Sequence, residues 1–191
     1  MGLLKNDNSN RNTIKGKLGS ILSILDNIAS DKAIQLIDWF ISQSEYADKY
    51  YNNKRFHKLP DDIKRGDIVL VEFGINIHPE LSDDGTNFHF GLVWGQQGQN
   101  FIILPITKRQ QPESNKYAVN LGIIEGMPVR TDAYLKIDAI RSVSVRRIHR
   151  IREQEKGKIV LSDEKLLKKV SDVFYEYFVL ETSKKVVDKT E

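Results

Sequence analysis

The chain has 191 residues, 40% of them apolar and 29% charged, a balance that excludes a disordered polymer and leaves room for one main domain plus an appendage. Its 29 Lys and Arg against 26 Asp and Glu give a net charge of +3, too small by itself to argue for nucleic acid. There is no cysteine, which excludes disulfides and thiolate metal sites and is compatible with a reducing cytoplasm.

Residues 1 to 12, MGLLKNDNSNRN, are polar and Asn-rich and read as a loose terminus. From Ile14 onward, Leu18, Ile21, Leu22, Leu25 and Ile28 recur at helical spacing, and a restart at Ser30 and Asp31 leads into a second stripe of Ile34, Ile37, Phe40 and Ile41. Two amphipathic helices, or one bent helix, are therefore expected to end near Tyr51. The segment LGSILSILDNIA follows a polar stretch and is interrupted by Asp26, which argues against a signal peptide. No apolar run reaches the roughly 18 residues that a membrane-spanning helix needs, so the expected location is the cytoplasm. YYNNKRFHKLPDD then reads as a hinge, with Pro60 disfavouring helical geometry before it.

After the hinge the period changes. IVLVEF, FHFGLVW and FIILPIT are three short strand patterns, and KYAVNLG, AYLKIDAIRSVSV and RRIHRI continue them without an intervening helical stripe. An antiparallel, strongly bent sheet or small barrel is expected rather than parallel βαβ units. Helical spacing returns at Leu166, Leu167, Val170, Val173, Phe174, Tyr177 and Phe178, with Ser162 as the expected N-cap, and TSKKVVDKTE reads as a frayed end.

Three features carry candidate chemistry. The loop GINIHPELSDDGTN, longer than a hairpin needs, holds Glu80, Asp83 and Asp84, and is either functional or a solvated acidic loop. In the strand that follows, alternation puts Phe88, Phe90, Leu92 and Trp94 on one face and His89, Gly91 and Val93 on the other. His89 thus points away from the larger apolar row, and Gly91 beside it leaves room for something to approach. It is either a packed histidine or a general acid or base working near neutral pH. Finally, RSVSVRRIHRIR holds five arginines and no acid, which suits either phosphate binding or a protected strand edge. The four histidines, at 57, 78, 89 and 149, lack a compact metal-ligand spacing, so no metal is expected.

In order, KRGDIVLVEF, a glutamate-bearing loop, a strand, ILPIT, YLKIDAIRSVSVRRI and a C-terminal helix resemble the MazF/PemK family of toxin-antitoxin ribonucleases. Lys64-Arg65-Gly66-Asp67-Ile68-Val69 and Ile140-Arg141-Ser142 are the most specific pieces. The resemblance implies a mainly β (α+β) fold, with a small SH3-like antiparallel β-barrel of the CcdB/MazF class and a C-terminal helix. The implied division is a helical extension and hinge over 1–60, the barrel domain over 61–182, and a tail over 183–191. It further implies a homodimer, blocked by an antitoxin protein, that cuts single-stranded RNA without metal or cofactor. In that reaction the 2′-hydroxyl attacks the adjacent phosphorus, leaving a 2′,3′-cyclic phosphate and a 5′-hydroxyl.

The family's catalytic threonine or serine falls on Thr107, and its loop glutamate on Glu80, which would position the loop or contact a base. Its phosphate-binding arginine falls on His89, so the arginine itself is missing from its place. A histidine exchanges a proton near pH 7 as an arginine does not, so His89 is expected as proton donor or acceptor, with Thr107 as the hydroxyl that orients the phosphate and Arg141 as electrostatic support. Arg146, Arg147 and Arg150 are the expected RNA contacts. The alternative is a catalytically impaired module that binds RNA or a protein partner through the same groove.

Overall fold

The computed structural model of the chain describes residues 3–52, 54–74, 88–128 and 130–180. It divides into two compact units, Met1–Asn52 and Asn53–Glu191.

In the first unit, helix α1 (Asn8–Leu25) and helix α2 (Ser30–Tyr51) are joined by a tight elbow. Helix α1 begins inside the stretch expected to be loose. The reason is Asp7, which stands as N-cap and accepts the Asn10 backbone N–H at 2.9 Å and the Asn10 side-chain amide at 2.7 Å. Neither helix has a buried residue.

The second unit is an α+β structure. Its strands are β1 (Asp67–Glu72), β2 (Phe88–Gln97), β3 (Asn100–Thr107), β4 (Ala118–Gly122), β5 (Ala133–Lys136), β6 (Arg141–Ser144), β7 (Ile148–His149) and β8 (Ile159–Val160), followed by helix α3 (Glu164–Tyr175). All of the pairings are antiparallel, in the order β4-β5-β3-β2-β1-β7, with β6 on β3 and β8 on β1. The run AYLKIDAIRSVSV does not form one strand. A 3-10 turn at Ile137–Ala139, with Ile137 buried, separates β5 from β6, so β3 pairs with β6 along its first half and with β5 at its end. A second 3-10 turn, Val145–Arg147, follows because the Ser144 hydroxyl accepts the Arg146 N–H and caps it. Only Ile148 and His149 of RRIHRI pair as a strand.

Alternation sorts the core to the two faces of the sheet. One cluster holds Ile68, Leu92, Leu104, Ile106, Leu135 and Val170, with α3 packed on it through Leu166, Leu167, Val173 and Phe174. The other holds Val69, Val71, Phe73, Val93, Phe101, Ile103, Val143 and Ile148. The N-cap of α3 is Asp163 rather than Ser162, its carboxylate accepting the Leu166 N–H at 3.1 Å.

The stretch Lys64-Arg65-Gly66-Asp67 is a structural joint. Gly66 turns the chain at φ +91°, where a Cβ would also press Leu167 at 3.2 Å. Asp67 is buried, and its Oδ2 accepts the Lys64 backbone N–H at 2.6 Å and the Lys158 ammonium at 2.6 Å. Arg65 lies over the Trp94 ring at 4.0 Å and donates to the Ser171 hydroxyl at 3.0 Å, tying β1, β2 and α3 together. At the surface, the hydrogen bond from Lys64 to Asp62 holds that carboxyl below the usual carboxylate range, an exposed pair that adds little to stability.

Residues 54–62, read from the sequence as a hinge, are bound to the second unit. Arg150 donates to the Leu59 carbonyl and to the Asp61 carboxylate, both at 2.9 Å. The Asp61 N–H donates to the Lys156 carbonyl at 2.9 Å, and Lys158 donates to the Asp62 carbonyl. Among the described residues, no helix is long and apolar enough to cross a membrane.

Candidate functional site

The strand registers assemble the site. Val71 of β1 faces His89 of β2, and Gly91 faces Pro105 of β3. The β2–β3 pairing ends there; His89 and Thr107, each two residues beyond it, line one cavity, and Thr107 pairs with Tyr134 of β5. Ile103 pairs with Arg141 of β6. Residues paired across antiparallel strands share a face, so His89, Thr107, Tyr134 and Arg141 all lie on the face of the second apolar cluster.

Phe73, buried at the end of β1, connects the two ends of this group. Its ring centroid is 6.2 Å from that of His89, and the Arg141 guanidinium lies 5.8 Å above the same ring. Each of the four polar side chains is half-buried, which strengthens their electrostatics relative to open water. The Thr107 hydroxyl accepts the Arg109 N–H at 3.1 Å, which directs its own proton toward another acceptor. A cavity of about 140 Å³ opens where β2 and β3 part, lined by His89, Thr107, Lys108, Met127, Thr131 and Asp132 among others.

The alternation read from the sequence places His89 on the face where it lies, but the room expected over Gly91 is filled. A Cβ at that position would stand 2.3 Å from Ile103 Cγ2. The glycine is there for the neighbouring strand.

The basic run 141–152 does not form one patch, because the turn at 145–147 sends its arginines in different directions. Arg147 donates through Nε to the Glu72 carbonyl at 2.7 Å, at the end of β1. Arg150 is committed to the Leu59 and Glu155 carbonyls and to Asp61. Arg146 stacks on Phe56 at 3.7 Å in an apolar groove of about 400 Å³, beside Gln96 and Gln99. That groove is at the other end of β2, about 20 Å from His89 at the rise of an extended strand. Glu80 lies outside the described residues.

Tyr134 and Phe73 escaped the sequence reading because cross-strand partners leave no local pattern. So did a second cluster on the opposite face of β1. There the buried Glu72 carboxylate lies 3.6 Å from His149 Nε2, and the His57 ring stacks on His149 at 4.0 Å. His57 Nε2 is 2.7 Å from the Ile148 carbonyl, which can only accept, so that nitrogen carries the proton. Among the described residues, no group of three or more His, Cys, Asp or Glu is arranged to hold a metal ion.

No protein-family model and no curated protein sequence matches the chain.

Proposed function

We propose that the second unit is a MazF/PemK-like endoribonuclease, its bent sheet a small SH3-like barrel, cleaving single-stranded RNA without a metal. The observation that carries this reading is the shared sheet face of His89, Thr107 and Arg141, with the Phe73 ring about equally near the imidazole and the guanidinium. Transphosphorylation needs a base for the 2′-hydroxyl proton, an acid for the 5′-oxygen, and charge to steady the phosphorane. The P–O2′ bond forms as the P–O5′ bond breaks, and the 2′-proton passes to the base while the leaving oxygen gains one. His89 carries one of the proton transfers, Thr107 donates its hydroxyl to a phosphate oxygen, and Arg141 supplies the positive charge that the family's missing arginine would otherwise bring. Tyr134 adds a second hydroxyl to the same face. In this reading the protein is a cytoplasmic toxin, a homodimer held in check by an antitoxin protein.

The test is incubation of the purified chain with single-stranded RNA in chelator. Products ending in cyclic phosphate and 5′-hydroxyl are expected, with His89→Ala and Thr107→Val each lowering kcat by about 10²-fold or more. Intact RNA after long incubation, with antitoxin shown to be absent, sinks the reading.

The commitment of Arg147 and Arg150 to backbone carbonyls favours a second reading, a module that binds RNA or a protein partner without cutting it. In that case His89→Ala and Thr107→Val change little, while Arg146→Ala weakens binding.

A further inference from the structure

We infer that α1 and α2 are the surface through which two copies of this chain associate, α1 of each copy lying antiparallel along α2 of the other. The inference is independent of any ribonuclease activity.

Its first support is that α1 is a helix without a core. All of its residues are exposed except Leu25, which is half-buried; Ile14 is 40%, Leu18 44% and Leu22 62% accessible. An isolated helix of 18 residues is marginal in water, and Gly16 and Gly19 weaken it further. Its stability must come from packing an apolar face. That face is well formed: Ile14, Leu18, Ile21 and Leu25 follow steps of four, three and four, the seam of a two-helix contact.

Helix α2 carries a matching seam. Ile34, Ile37, Ile41 and Ser44 follow steps of three, four and three, and Ile34 and Ile41 are 61% and 49% accessible. At the elbow the two seams open onto one apolar groove of about 490 Å³, with Leu22, Leu25 and Ile28 on one wall and Ile34 and Ile37 on the other.

The charges say which helix belongs against which. Arg11, Lys15 and Lys17 are the charged residues of α1, with Lys15 and Lys17 on the two edges of its seam. Along one edge of the α2 seam stand Asp31, Asp38 and Glu45, seven residues apart. Pairing α1 with α1 would set lysine against lysine, whereas α1 on α2 sets lysine against carboxylate. Within the first unit, α1 leaves its seam exposed and α2 leaves Ile34 and Ile41 exposed, so neither helix supplies the other's complement. A second copy related by a twofold axis covers all four seams in one act, because each chain offers one helix of each sign.

Sedimentation of the full-length chain over about 1 to 100 μM provides the test. Lys15→Glu/Lys17→Glu in one chain, and Asp38→Lys/Glu45→Lys in another, should each weaken association by about tenfold or more, as edge attractions become repulsions. An equimolar mixture of the two should restore association, which also shows that each variant is folded. Three results overturn the inference: a wild-type chain that stays monomeric over the range, as it would if α1 closed onto its own α2; variants that associate like the wild type, as they would if another surface held the dimer; or a mixture that fails to recover.

Discussion

Replacing Lys158 by methionine removes the ammonium that meets Asp67 at 2.6 Å, in a place where the two side chains are 5% and 4% exposed. The carboxylate then keeps one of its two strong donors, the Lys64 N–H at 2.6 Å. Breaking a buried pair from one side costs about 3–5 kcal/mol; the surviving donor argues for the lower end, about 3 kcal/mol. Asp67→Asn should cost a similar amount, because it leaves the buried ammonium facing neutral oxygens with no negative charge to offset its burial. The double variant Asp67→Asn/Lys158→Met removes both charges and keeps the volume, so it should lie within about 2 kcal/mol of the wild type. The cycle then yields a coupling of about 4 kcal/mol, far beyond that of a surface pair. Because the chain has two units, the unfolding probe must report on the sheet. A Trp39→Phe background leaves Trp94, which packs against Arg65 and Phe174, as the single tryptophan. Urea unfolding followed by its fluorescence measures each corner of the cycle. Single variants that each cost under about 1 kcal/mol, or costs that add, would refute the assignment of this pair as the joint of the fold.

Two further predictions use the face that carries His89. Gly91→Ala should destabilise the sheet by about 1–3 kcal/mol through its clash with Ile103 Cγ2, and Gly91→Ala/Ile103→Ala should be no less stable than Ile103→Ala alone, read by the same unfolding curves. If His89 transfers a proton during RNA cleavage, kcat/KM should show a limb in the neutral pH range that His89→Arg abolishes. A limb that persists in the arginine variant would remove His89 from that role.

The legible parts of the fold are those whose period is local. The apolar stripes announce α2 and α3, and the runs IVLVEF, FHFGLVW and FIILPIT become β1, β2 and β3. The invisible parts depend on one side chain acting at one point. Asp7 starts α1 in a stretch whose composition reads as loose, and the Ser144 hydroxyl caps a turn inside a run of strand-forming residues. Gly91 is a sharper case. The sequence correctly gives its face, but only the neighbouring strand reveals that Ile103 takes the space its missing Cβ leaves.

For the candidate site, the same distinction decides what the basic run 141–152 can contribute. A cluster of arginines in sequence becomes a phosphate surface only if the guanidinium groups converge, and here the chain turns between them. Arg147 and Arg150 spend their donors on backbone carbonyls at the end of β1 and in the 54–62 segment, where they hold the second unit together. Arg146 faces Phe56 at the far end of β2. Arg141 is the member of the run that the β3–β6 register brings to the face of His89 and Thr107, and it does so through Phe73, which touches both ends of the group. Substituting Arg147 or Arg150 should therefore act mainly through stability, whatever the protein binds. Any loss of chemistry on replacing an arginine of this run should be concentrated at Arg141, since its strand register puts it on the sheet face of the imidazole that stands where the resemblance calls for a guanidinium.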